Sequence, residues 1–209
     1  HDIESVNTER QQGFYAALLL GNGALQSSAT GVHQEQGGSY PFGGGFGATG
    51  EASLTPVIGY AWVSSPWQLA LEFEADATGN EWRHERYPGG RNFNVEQKAR
   101  YGAGVRLGYR LDNGTLLYLL AGADRARFNT EWVKGSSPDT VVERDDEVWG
   151  RRFGVGTEIP LGQQTALRID YTETDYDSYK FITTQGQPDQ MTFDNQHTQF
   201  RIGLSHFFW

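Results

Sequence analysis

Residues 67–77 read Trp-Gln-Leu-Ala-Leu-Glu-Phe-Glu-Ala-Asp-Ala. In an extended chain Trp67, Leu69, Leu71, Phe73 and Ala75 fall on one side, and Gln68, Glu72, Glu74 and Asp76 on the other, with Ala70 among them. Successive side chains of a strand point to opposite faces, so a period of two predicts a β-strand. A helix would scatter both sets around its circumference. The run is also long: strands commonly have about 5–6 residues, whereas a tilted strand crossing a hydrocarbon layer needs about 9–11.

The same alternation recurs. Ala99, Tyr101, Ala103, Val105, Leu107 and Tyr109 alternate with Arg100, Gly102, Gly104, Arg106 and Gly108. Phe153, Val155, Thr157 and Ile159 alternate with Arg152, Gly154, Gly156 and Glu158. Leu167, Ile169 and Tyr171 alternate with Arg168, Asp170 and Thr172, and Phe200, Ile202 and Leu204 with Arg201, Gly203 and Ser205. Leu54, Pro56, Ile58, Tyr60 and Trp62 mark a further strand, where Pro56 predicts a local bulge because proline cannot donate to the ladder. Residues 13–24 and 116–128 complete eight strands, but apolar residues occupy both of their faces, so their facing is ambiguous.

Between these strands the connections alternate in length. Short turns fall at 63–66, 111–115 and 160–164, the second containing Asn113-Gly114, a hairpin signal. Long polar segments fall at about 25–47, 78–96, 129–146 and 177–195. Three short turns and four long loops are what eight strands give when both chain ends lie on the short-turn side. That is the layout of a barrel with short periplasmic turns and long external loops.

Composition narrows the function. The chain has 209 residues, no cysteine, 27 glycines, 6 Trp, 10 Tyr, 12 Phe and a formal net charge of −9. The negative balance leaves no basic stripe for nucleic acid. No apolar run approaches the roughly 18 residues of a membrane helix; the longest is 14–20. A spanning strand, however, needs only every second residue to be apolar. No signal peptide is visible, and His1 reads as near a processed N-terminus.

A soluble sandwich would bury the apolar face and wet the charged one. Three features favour the reverse. The strands are long. Aromatic residues (Tyr60, Trp62, Trp67, Tyr109 and 207–209) gather near the short turns, where an interfacial girdle sits. The charged face mixes signs with glycines at 102, 104, 108, 154, 156 and 203, which would leave room for arginines in a crowded lumen.

Residues 200–208, Phe-Arg-Ile-Gly-Leu-Ser-His-Phe-Phe, resemble the C-terminal strand of outer-membrane proteins. Arg201, Gly203 and Phe208 match that pattern; His206 stands where an apolar residue is usual, and Trp209 is one residue extra. The resemblance implies recognition by the barrel-assembly machinery. Residues 101–110, 154–158 and 167–175 resemble the small OmpA/OmpX-type, opacity-like surface barrels. The fold implied is all-β: one eight-stranded antiparallel up-and-down transmembrane β-barrel domain over residues 1–209, in the bacterial outer membrane with both termini periplasmic, expected to be monomeric. Its partners would be outer-membrane lipid and lipopolysaccharide, and any extracellular or host ligand goes unnamed by the sequence.

An eight-stranded barrel is just wide enough for side chains to fill, so the expected lumen is a plug of Glu72, Glu158 and Asp170 paired with Arg106, Arg152, Arg168 and Arg201. Unpaired buried charge is costly, and both signs must therefore meet. Catalytic, cofactor and metal sites are not expected. Ser205 and His206 are adjacent and so face opposite ways. The strand that in a lipid A deacylase of this class carries His-x-Ser here reads 168–176 without histidine. His1, His33, His84 and His197 lie near loops or the terminus and show no ligand spacing. Two loops offer contact residues: Tyr40, Phe42 and Phe46 in a glycine-rich stretch, and Trp82, Arg83, Arg86 and Tyr87, whose arginines could touch lipopolysaccharide phosphate. The leading expectation is a non-enzymatic surface barrel for envelope integrity, adhesion or display; a narrow channel for small or apolar solutes and a lipid-A-modifying enzyme are the alternatives.

Overall fold

In the computed structural model the described residues are 11–35, 38–47, 52–76, 80–87, 91–134, 141–182 and 190–208. They form eleven strands: β1 (Gly13–Glu35), β2 (Gly38–Gly47), β3 (Ala52–Ser64), β4 (Trp67–Asp76), β5 (Asn80–Tyr87), β6 (Arg91–Arg110), β7 (Leu116–Lys134), β8 (Val141–Pro160), β9 (Thr165–Tyr176), β10 (Tyr179–Ile182) and β11 (Gln190–Phe208). All pairings are antiparallel. The order β1-β3-β4-β6-β7-β8-β9-β11 returns to β1, so eight strands close a ring. Closure runs from Phe14 opposite Phe208 to Val32 opposite Gln190. β2, β5 and β10 lie outside the ring order and pair with β1, β6 and β11.

Parity decides the two faces. Trp67, Leu69, Leu71 and Phe73 are exposed on the outer wall, whereas Gln68, Glu72, Glu74 and Asp76 are buried inside. Phe14, Leu18, Leu20, Ile58, Val105, Leu107, Phe153, Val155, Phe200, Ile202 and Leu204 continue the outer apolar band. The two ambiguous strands also resolve. β1 sends Tyr15, Ala17 and Leu19 inward, and β7 sends Leu116, Tyr118, Leu120 and Asp124 inward.

The long loops expected at 25–47, 78–96, 129–146 and 177–195 are largely strand. β1 runs on to Glu35 and β11 begins at Gln190, well past the apolar band. The 20 residues of β8, rising about 3.3 Å each at a tilt near 40°, climb roughly 50 Å, against an apolar band of about 25 Å. Above the band the polarity inverts, on β11 without a change of parity. In β11, Arg201 and Gln199 point inward in the lower part, and Phe193 and Met191 point inward in the upper part. Leu25, Ala29, Val95, Ala126, Phe128, Val148, Tyr176, Tyr179, Phe181, Met191 and Phe193 thus make an apolar core beyond the lipid band. Phe128, Tyr179 and Phe193 stack in sequence at 6.0 and 5.4 Å. Burial pushes the Tyr179 hydroxyl up to about 12, so it stays protonated against Thr130 Oγ1 at 3.0 Å.

Two further expectations are corrected. Pro56 sits in an unbroken β1–β3 register, opposite Leu18, where no bulge is needed; the described register shifts fall instead in β6 between Gln97 and Ala99, and in β5 between His84 and Tyr87. Phe207 is not a girdle residue: it is buried inside with Tyr15, Ala61 and Ala70 at the short-turn end, while Phe208 faces out. Trp209 lies outside the described residues.

The glycines make room for more than arginine. Tyr15, Tyr118 and Tyr176 each lie across the glycine directly opposite on the neighbouring strand, Gly59, Gly156 and Gly150. Gly108 accommodates Leu116, and only Gly104 and Gly122 meet Arg152 Nη2. Gly203 differs, because a Cβ there would overlap the Leu18 carbonyl oxygen and lie 2.8 Å from Leu19 Cα, both backbone atoms of the closing ladder. Gly203→Ala is expected to cost about 3 kcal/mol, the upper end for overpacking, since no side chain can move aside. Gly162, with nothing within 4 Å of its added Cβ, should tolerate alanine. Urea titration of the heat-modifiable folded band checks both; equal midpoints would contradict the closing-seam argument.

Candidate functional site: the ionic lumen

Among the described side chains, every ring strand except β1 and β3 contributes a charge to the interior. β4 supplies Glu72, Glu74 and Asp76, β6 supplies Arg100, Arg106 and Arg110, and β7 supplies Asp124. β8 supplies Arg152 and Glu158, β9 supplies Arg168 and Asp170, and β11 supplies Arg201. Among the described residues these are six buried carboxylates facing six buried guanidinium groups.

They connect as an alternating chain. Glu158 meets Arg106 Nη1 at 3.0 Å, and Arg106 Nε reaches Glu72 at 2.8 Å. Arg168 is bidentate on Glu72 at 2.6 and 3.1 Å and turns its other edge to Asp170 at 2.8 Å. Arg201 joins Asp170 at 2.9 Å to Glu74 at 3.0 and 3.1 Å. Glu74 also receives Arg152 and, at 2.6 Å, Arg100. Asp124 accepts from Arg100 at 2.9 Å and from Arg152 at 3.0 Å. Arg100 ends the chain on Asp76 at 3.4 Å. Arg110 stands below it on neutral acceptors, Gln68 Oε1 at 2.5 Å and the Gly114 carbonyl at 3.1 Å.

Neutral groups add hydrogen bonds to the network, although Asp76 Oδ1, Arg100 Nε, Arg152 Nε, Glu158 Oε2 and Arg201 Nε have no hydrogen-bond partner among the described residues. The Tyr15 hydroxyl donates to Glu72 and accepts from Arg106 Nη2 at 3.1 Å. Tyr118, rooted on the opposite wall, donates to Asp170, and its ring lies 4.5 Å from the Arg106 guanidinium carbon. Ser205 donates to Glu158 at 3.0 Å, Thr174 to Asp124 at 3.1 Å, and Gln199 Nε2 to Asp76 at 3.1 Å.

All seven residues named from the sequence for the lumen (Glu72, Arg106, Arg152, Glu158, Arg168, Asp170 and Arg201) lie in this chain. Glu74, Asp76 and Arg100 were legible on the same strand faces and belong with them. Asp124 carried no signal, because the facing of residues 116–128 was ambiguous. His197 is not a loop residue: it is buried on β11. Ser205 points inward and His206 outward, where it meets Thr165 Oγ1 at 3.2 Å and the Phe208 ring. Tyr40, Phe42 and Phe46 lie on β2, and Trp82, Arg83, Arg86 and Tyr87 on β5, rather than in irregular loops; their side chains lie outside the described set.

Glu74 is the junction, with three guanidinium groups on one carboxylate. Glu74→Gln leaves Arg100, Arg152 and Arg201 short of a shared counter-charge in a water-poor interior. Breaking a buried pair from one side costs about 3–5 kcal/mol, so the unfolding midpoint should fall sharply. Asp145→Asn, which opens an exposed pair with Arg127, should leave it unchanged. Urea titration in lipid or detergent checks the contrast.

Residues 5–208 match the family model of the outer membrane protein beta-barrel domain. Among solved structures, the outer membrane protein OprG from Pseudomonas aeruginosa superposes with a TM-score of 0.59 at 11% identity, covering 94% of this chain and 96% of that one. The outer membrane protease OmpT from Escherichia coli gives 0.56 at 11%, covering 95% and 97%. The outer membrane protein AlkL, solved in lipid bilayers, gives 0.54 at 20%, covering 95% and 90%. No match was found among curated protein sequences. At these identities the structures share the fold alone. With lipid-facing apolar residues, a charge-filled interior and a family match over nearly its whole length, this chain belongs to the outer-membrane β-barrel family and is a bacterial outer-membrane protein.

Proposed function

We propose that this protein is a non-enzymatic surface barrel with a plugged lumen. It stands with both chain ends in the periplasm and presents its tall hairpins to the outside for envelope integrity, adhesion or display. The carrying observation is the double filling of the interior: an ionic chain through the lipid-embedded part and an apolar core above it. The short turns at 65–66, 111–115 and 161–164 share an end with Gly13 and Phe208, as the Phe207 amide bond to the Gln164 carbonyl (2.8 Å) shows. The long hairpins leave from the opposite end, which supports the orientation. The tall strands give a rigid stem for surface contacts. Against catalysis stands the divergence of Ser205 and His206.

Planar-bilayer recording of the folded protein should show no stable conductance steps; reproducible steps would defeat the plugged reading. Mass spectrometry of lipid A from cells with and without the protein should show identical acyl patterns; an altered pattern would identify an enzyme.

A further inference from the structure

The outer wall of β7, β8 and β9 is not uniform. Outward positions there include two small residues, Ala121 and Ala123, opposite Phe153 and Arg151 on β8. A groove of about 650 Å³ opens over Ala121, flanked by Leu119, Val105, Phe153 and Val155. A second of about 530 Å³ shares Leu119, Val155 and Tyr171 and continues toward Thr157 and the Trp67–Tyr109 girdle pair. The groove therefore follows the lipid-facing wall lengthwise, with chemistry suited to an acyl chain.

Charge gathers at its upper rim, whereas the described outward positions on the upper halves of β1 and β11 hold one charge, Asp194. Arg151, Glu173 and Asp175 line that end, with Arg125, Arg127, Asp145 and Glu147 above them on β7 and β8. The matching outward positions on β1 and β11 are Asn22, Ala24, Gln26, Gln196 and Thr198. Of the outward arginines with described side chains, Arg125 is paired with Glu147, Arg127 with Asp145 and Arg144 with Asp146. Arg151 makes no ion pair, although Asp175 is its cross-strand neighbour. A guanidinium that is held in no ion pair, at the top of an apolar groove and level with the edge of the lipid band, is placed for a lipid phosphate.

We propose that this wall holds a lipopolysaccharide molecule, with an acyl chain in the groove and a phosphate on Arg151. Glu173 and Asp175 then face the divalent cations that accompany such phosphates. The assignment rests on the reading that the tall hairpins face outward, which puts this rim in the outer leaflet.

The test uses the full chain folded in detergent with Mg²⁺, with lipopolysaccharide or phosphatidylglycerol added in turn and the retained lipid counted by native mass spectrometry. Only the heat-modifiable folded fraction is scored. Wild type should retain lipopolysaccharide in preference to phosphatidylglycerol. Arg151→Gln should weaken retention about fivefold, the value of roughly 1 kcal/mol for one arginine at a charged lipid surface. Ala121→Phe, which fills the groove and keeps the rim, should also weaken it, whereas Arg144→Gln, far above the rim on β8, should retain the wild-type level. Equal retention by wild type and Arg151→Gln, or phosphatidylglycerol held as tightly as lipopolysaccharide, overturns the proposal. Conductance would sink the plugged reading of the lumen and leave this result standing.

Discussion

Charge neutrality inside a closed cylinder governs this molecule. An ionised group sealed from water carries a desolvation penalty of several kcal/mol, offset only by an opposite charge in good geometry and by hydrogen bonds to its remaining atoms. Six carboxylates and five of the six buried guanidinium groups find an opposite charge in this way, and Arg110 rests instead on Gln68 Oε1 and the Gly114 carbonyl. The requirement spreads outward through the wall. Arginine and tyrosine bulk inside an eight-stranded ring forces small residues opposite it, hence the pairing of Tyr15 with Gly59 and Tyr118 with Gly156. Alternation then fixes the outer face, because every inward charge sets its two chain neighbours toward lipid.

The same strands build a second interior of opposite character. Where the outside is lipid the inside is ionic, and where the outside is water the inside is Phe128, Phe181, Phe193 and Met191. Both follow from one rule applied to two solvents. In lipid, apolar outward residues are favoured and the lumen can take the polar set. In water, the apolar set gains by turning inward, as in any soluble sheet. β11 passes through both regimes with a single parity. The inversion marks the membrane boundary: on β9 it separates outward Tyr171 from outward Glu173 and Asp175.

That inversion also explains what the sequence reveals and what it hides. Residues 67–77 are transparent because their two faces differ completely. β1 and β7 are opaque because Leu19 and Leu120 point inward while Leu18 and Leu119 meet lipid. Their facing is set by ring closure, a long-range constraint. The upper strands look like loops in the sequence because their outward residues are polar and their inward apolar ones sparse. The period-two pairs Tyr179-x-Phe181 and Met191-x-Phe193 were the available signal. The register shift beside Lys98 has no local signature, since Lys98 and Ala99 are both exposed and the parity changes between Gln97 and Arg100. Seven of the buried charges were legible as a set because they sit on strands with a clear greasy side; Asp124 was hidden with its strand.

The two interiors in series support a barrier better than either would alone. An ion entering from the short-turn end meets fixed charges already satisfied by one another, so it can bind only by displacing an existing pair. Beyond them it meets the stacked ring faces of Phe128, Tyr179 and Phe193, which are poor replacements for its hydration. An apolar solute entering from the other end fits the aromatic layer and then faces Glu74 with its three arginines, where it could advance only by separating buried ion pairs. On the proposed plugged reading, each layer opposes the class of solute that the other would admit. On that reading, the surfaces left for a partner are the outside of the wall and the top of the hairpins.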